Sequence, residues 1–104
     1  MEHYLISEDQ SVITAIRVIK YDQQTLLFVC VGKQLIIFEI NRDGSVGSKQ
    51  QTIHLEGDGN VRALDLQIDN QDILHVLVVD SANMLHVRNY SDKSTKQMEE
   101  ISHA

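Results

Sequence analysis

The chain repeats itself, and that repeat limits its fold more than any other feature. Ala63 stands 48 positions after Ala15, and each opens onto the same succession of short segments. In the first unit, residues 12–19 are rich in β-branched side chains, with Ile16 and Val18 spaced by two as a strand requires. Tyr21-Asp22-Gln23-Gln24 is a polar turn, and residues 26–31 follow as a continuous apolar run. Gly32-Lys33 turns the chain into a second such run, Gln34–Ile40. Asn41-Arg42-Asp43-Gly44 is the strongest turn signal, because Asp-Gly tolerates the positive φ of a tight hairpin. A more polar fourth strand is expected at 50–55.

The loop Glu56-Gly57-Asp58-Gly59-Asn60 then breaks the chain, and the pattern returns. Val61–Ile68 repeats the first strand, and Asp69-Asn70-Gln71-Asp72 repeats the polar turn. Residues 73–79 repeat the first apolar run, with Leu77 placed 48 after Val29. Asp80-Ser81-Ala82-Asn83 is two residues longer than its counterpart Gly32-Lys33, and 84–90 lies 50 positions after Gln34–Ile40.

Apolar runs without alternation mark strands covered on both faces. A simple two-sheet sandwich would show cleaner inside–outside alternation. Four short strands in a period of 48 to 50 is the mark of a propeller blade. The expected fold is therefore all-β, with two four-stranded antiparallel meander units as WD-repeat-like β-propeller blades in a partial propeller. Residues 1–10 form a polar lead-in with little core to offer, 11–56 the first blade and 57–90 the second. Residues 91–104 form a polar tail or a weak outer strand near 97–101. Propellers close with about four to eight blades. Two alone leave faces and edges bare, so the chain is expected to be part of a longer protein, the favoured reading, or to self-associate, or to be covered by something else.

The chain carries a net charge of −6, and its nine Lys and Arg are scattered singly. Both facts argue against a stand-alone nucleic-acid binder, which needs a basic footprint. Cys30 is the only cysteine, so no intrachain disulfide forms. The first residues lack the charged and apolar regions of a secretory signal. The apolar runs are too short to span a bilayer as helices. The reading is a soluble intracellular protein without membrane contact.

Candidate sites are weak. Residues 39–50 approach the spacing of a calcium loop, but Gln50 stands at the final ligand position and the flanks read as strands. Glu56 to Asn60 could gather oxygen ligands, although a Gly-rich acidic loop accounts for it. His75 and His86 are expected on one face as diagonal neighbours about 7–8 Å apart, with too few partners for zinc. His3, His54 and His103 fall elsewhere. Cys30 lies inside an apolar run, where a thiol acts as a small hydrophobe. There is no G-x-S-x-G elbow, and residues 44–49 echo a phosphate-binding loop with the wrong spacing. Phe28 and Phe38 read as core rather than as a base-stacking platform. No catalytic, cofactor-binding or metal-binding residue is assigned, and an enzyme is not expected.

Several segments, in order, carry a family resemblance. They are Ala15-Ile16-Arg17-Val18-Ile19-Lys20, Lys33-Gln34-Leu35-Ile36-Ile37-Phe38-Glu39-Ile40, Gln50-Gln51-Thr52-Ile53-His54-Leu55 with Gly59-Asn60-Val61, and Leu77-Val78-Val79-Asp80. Together they resemble the C-terminal blades of the non-catalytic WD-repeat subunit of tRNA (guanine-7-)-methyltransferase, over about two thirds of the chain. Phe38-Glu39 and Arg88-Asn89 stand where a strict repeat would have Trp-Asp. The resemblance implies a nuclear scaffold that stabilises the catalytic methyltransferase subunit. That subunit, not this chain, would hold S-adenosylmethionine, and tRNA would be met only through the complex. The family's main partner-contacting residues lie on blades upstream of the matched part, so none is carried over. The alternative is a pair of blades from another propeller, acting as a protein–protein interaction module.

Overall fold

The computed structural model describes residues 3–6, 12–56 and 59–90, together with the backbone of Met98–His103. All its regular structure is β, and no helix occurs among the described residues. The first sheet is an open antiparallel meander of β1 (Ile13–Tyr21), β2 (Gln24–Val31), β3 (Gln34–Ile40) and β4 (Val46–His54). The second contains β5 (Val61–Ile68), β6 (Leu74–Asp80) and β7 (Leu85–Tyr90), and the backbone of β8 (Met98–His103) pairs outside β7. The β4 strand starts earlier than its apolar residues suggested, because Val46 pairs with Ile40 directly after the turn. Ile6 packs on the first sheet, so the lead-in adds apolar contact that its polar composition hid. Glu8 and Asp9 of the lead-in, and residues 91–97 of the tail, lie outside the described residues.

Two bulges fix the correspondence between the sheets. The β1–β2 ladder skips one residue between Ile13↔Val31 and Ala15↔Cys30, and the β5–β6 ladder does so between Val61↔Asp80 and Ala63↔Val79. Strand by strand, the offset then grows. Ala15 matches Ala63 at 48, Cys30 matches Val79 at 49, and Leu35 matches Leu85 at 50. It is thus Val78, and not Leu77, that occupies the place of Val29. Each of the first two hairpins has gained one residue in the second sheet, so the extra length does not sit in one turn.

The turns explain this. Asp22 and Gln23 both have positive φ, 51° and 65°, forming a two-residue hairpin of the type that matches strand twist. Its counterpart in the second sheet is a three-residue loop. Asp72 N–H donates to Asp69 C=O and Asp69 N–H to Ile73 C=O, with Asp72 at φ 62°. The β6–β7 hairpin copies this arrangement, with Asn83 at φ 65°. Asn41 to Ser45 has the same backbone bonds, with Gly44 in the positive-φ place.

The two sheets pack through faces that are not equivalent. The shared core takes Leu26, Phe28, Cys30, Leu35 and Ile37 from the first sheet and Leu64, Leu74, Val76, Val78 and Tyr90 from the second. By the strand offsets, Phe28 and Cys30 correspond to Leu77 and Val79, which lie on the far side of the second sheet. Val76 and Val78 correspond to Leu27 and Val29, on the far side of the first. The front of one unit therefore meets the back of the next, a head-to-tail arrangement that does not close within the pair. A sandwich of two equivalent sheets related by a twofold would bring like faces together.

The stack is also wedge-shaped. Cα atoms of the two sheets come within 8 Å mainly along β1 and β5, with β2 next. Tyr90 holds the wider part: its ring meets Tyr21 and Phe28 edge-on, with centroids 6.1 and 6.2 Å apart. Tyr21 O–H also donates to Asp72 C=O across the gap, at 2.8 Å. The connecting segment binds both units. Leu55 N–H donates to Lys33 C=O and Val61 N–H to Gly32 C=O, while Asn60 exchanges bonds with Ser81.

Candidate functional site: aspartate clasps and exposed apolar residues

Both hairpins of β6 are built on one short motif. Asp69-Asn70-Gln71-Asp72-Ile73-Leu74-His75 and Asp80-Ser81-Ala82-Asn83-Met84-Leu85-His86 share an Asp, a residue suited to positive φ, a Leu and a His at matching places. Asp69 Oδ1 accepts from Gln71 and Ile73 N–H at 2.8 and 3.0 Å, and its Oδ2 lies 2.7 Å from His75 Nε2. Asp80 Oδ1 accepts from Ala82 and Met84 N–H at 2.9 and 3.0 Å, with Oδ2 at 3.1 Å from His86 Nε2. The carboxylate closes the turn and ties it to the departing strand.

These contacts favour the charged carboxylate. The His75 imidazole first, then the Ile73 amide, hold Asp69 below its ordinary value of 3.8. For Asp80 the Met84 amide comes first and His86 second. Both clasps spend their carboxylate oxygens on turn geometry, so they work as anchors. The third such hairpin lacks one. Asn41 replaces the Asp, and Gly47 occupies the His place, where a Cβ would sit 2.9 Å from Asn41 Oδ1.

The two clasps point to opposite faces. His75 pairs with Asn89 and His86 with Val78, so the two histidines do not share a face, contrary to the expectation from the sequence. The Asp80 clasp sets a register one residue away from the assumed one, and a one-residue slip exchanges the faces of a strand. His86 and Asp80 lie buried on the side facing the first sheet, while the Asp69–His75 clasp is only half-buried on the outer side. Among the described residues, no group of three or more His, Cys, Asp or Glu is placed to hold a metal ion. The motif was legible as an 11-residue repeat, but it falls across a turn and a strand and so escaped a search by strands.

The other sequence candidates resolve as structural parts. Asp43 accepts from both the amide and the hydroxyl of Ser45, which lowers its pKa and closes the 39–50 hairpin. Residues 57 and 58 of the acidic loop lie outside the described residues. Gly59 is pressed against the Asp80 hairpin, and a Cβ there would stand 2.8 Å from Ala82 N and 3.1 Å from Asp80 Cγ. Cys30 is fully buried, and desolvation pushes its thiol up to about 12. A recess of about 630 Å³ at one end of the first sheet brings Lys20, Glu39 and Arg42 together, with mixed charge.

What remains are the exposed apolar residues of β1, on a first-sheet face otherwise buried at Leu27, Val29, Val31, Ile36 and Phe38 with Ile6 packed against it, and the outer face of the second sheet. On the first sheet, Ile13, Ile16 and Val18 are 48%, 56% and 60% exposed. Their counterparts Val61 and Leu64 are 2% and 4% exposed, because the first sheet covers them. On the outer face of the second sheet, Leu77, Val79, Leu85 and Val87 are half-buried. They occupy the seats of Phe28, Cys30, Leu35 and Ile37, all fully buried in the first sheet. No protein-family model matches the chain, and no curated protein matches it at a significant level. None of the helices that cross membranes is present among the described residues.

Proposed function

We propose that the chain is a non-catalytic scaffold, two adjacent blades of a β-propeller whose exposed apolar residues bind protein. The observation that supports this is the head-to-tail stacking of two equivalent meanders, Phe28 of one unit against Tyr90 of the next. Such a stack adds units in one direction and closes only after several. The exposed residues Ile13, Ile16 and Val18 of β1 and the half-buried Leu77, Val79, Leu85 and Val87 are apolar, a character suited to protein contact. On the sequence resemblance, the partner is the catalytic subunit of tRNA (guanine-7-)-methyltransferase, with tRNA reached through the complex and the nucleus as the site of action. The alternative is an interaction module of another propeller.

Copurification tests the partner. The chain is mixed with the catalytic methyltransferase subunit, with and without tRNA. Recovery of a complex without tRNA is the expected result. If no complex forms under either condition, the methyltransferase assignment fails and the general interaction module is the reading that stands.

A further inference from the structure

The two sheets have equivalent back faces, but they are covered in different ways. On the second sheet, Val61, Leu64, Val76 and Val78 are buried in the core shared with the first sheet. Leu64 pairs with Val78, and the strand offsets place this pair at Ile16 and Val29 of the first sheet. Val29 is buried like its counterpart, together with Leu27, Val31, Ile36 and Phe38. Among the described residues, this cluster and its packed neighbours take nothing from the second sheet. Ile40 and Val46 belong to the first sheet itself, and Ile6 comes from the lead-in. Leu5, next to Ile6 in the chain, is 80% exposed and contributes no cover. Ile13, Ile16 and Val18 pair with Val31, Val29 and Leu27 of the cluster, yet they stay exposed. The lead-in thus takes a place over β2 and β3 that a whole sheet takes on the second unit, and it leaves β1 uncovered.

We propose that residues 3–6 are a displaceable strap that stands in for a covering sheet. While Ile6 is seated, the back of the first sheet is closed to stacking; once Ile6 leaves, that face is open to a second apolar sheet. The proposal rests on the stacked arrangement of the two sheets described above. An apolar sheet face is stable only against another layer. Residues 3–6 form no strand, so the strap can leave without breaking a ladder of backbone hydrogen bonds. Its release would join Ile13, Ile16 and Val18 to the cluster beneath Ile6 as one apolar surface across β1, β2 and β3. Apolar surface of that extent marks an association site.

The test compares the full wild-type chain with Ile6→Asp. An anilinonaphthalene sulfonate dye probes exposed apolar surface, and the chain's own copies, followed by sedimentation from micromolar to millimolar concentration, probe stacking. Ile6→Ala replaces Ile6→Asp if the near-ultraviolet spectrum of the latter shows loss of packing. The variant should bind the dye several-fold more than the wild type and should shift to a larger mass. Adding Val18→Glu should return the mass to the wild-type value, because Val18 lies on the opened face. Dye binding unchanged from the wild type overturns the covering role of Ile6. A variant that binds the dye without gaining mass overturns the control of stacking, and so does a gain in mass that survives Val18→Glu. Nuclear Overhauser contacts between Phe28 and Tyr90 in the variant report separately on the stack within one chain. Failure of the strap is therefore distinguishable from failure of the stacked arrangement.

Discussion

Replacing Phe28 by Ala should remove the ring that joins the two sheets. Phe28 is fully buried, and its ring meets Tyr90 of the second sheet edge-on at 6.2 Å. An aromatic side chain buries about 150–250 Å². At about 25 cal/mol per Å² that area corresponds to about 4–6 kcal/mol, before allowing for the methyl group that stays. Phe→Ala replacements in cores cost about 3–5 kcal/mol, in agreement. A small domain has only about 5–15 kcal/mol to lose. Urea unfolding followed by far-ultraviolet dichroism should show the midpoint falling by about 2 M, for a slope of about 2 kcal/mol per M. Val18→Ala, at an exposed position of β1, should stay within about 0.5 kcal/mol. A double-mutant cycle of Phe28→Leu with Tyr90→Leu should show a coupling of about 0.5–1.5 kcal/mol. Equal costs for the Phe28 and Val18 substitutions, together with no coupling to Tyr90, would refute the stacking through these faces.

The clasps make stability depend on acid. The native pKa values of Asp69 and Asp80 lie below 3.8, so their contribution is complete above that value and is lost as pH falls through the lowered native values. Urea midpoints measured from pH 6 down to pH 2 should fall in this window, and Asp69→Asn with Asp80→Asn should flatten the fall. Cys30 should resist a thiol reagent at pH 8 in the native chain and react on unfolding, because its thiol is buried and its pKa is about 12. Gly59→Ala should cost about 1–3 kcal/mol by thermal unfolding, since backbone of the Asp80 hairpin stands in the way. Gly47→Ala should cost less, because its closest neighbour is the movable side chain of Asn41.

The strands were legible where burial on both faces writes itself as an unbroken apolar run. Gln34–Ile40 and Val61–Ile68 have the bounds read from the sequence. Register was harder. Asp72 and Asn83 adopt positive φ in loops one residue longer than their counterparts, and nothing in apolar periodicity counts that residue. Leu77 and Val78 are both aliphatic, so a match one position out looked equally good. The same shift placed His75 and His86 together when they lie on opposite faces. The clasps were hidden for a different reason: their partners are six residues apart and link a turn to a strand, a spacing that neither helical nor strand periodicity picks out. Exposed apolar surface could be expected from two units alone. That unlike faces meet emerges only when the bulges at Ile13 and Val61 align the ladders.

Contacts of the Phe28 ring in solution test the head-to-tail stack most directly. Nuclear Overhauser measurements on the chain should connect Phe28 ring protons to the Tyr90 ring. They should show no contact from Phe28 to the methyl groups of Leu77 or Val87. Contacts from Phe28 to Leu77 and Val87, with none to Tyr90, would mean that like faces meet, and would contradict the account.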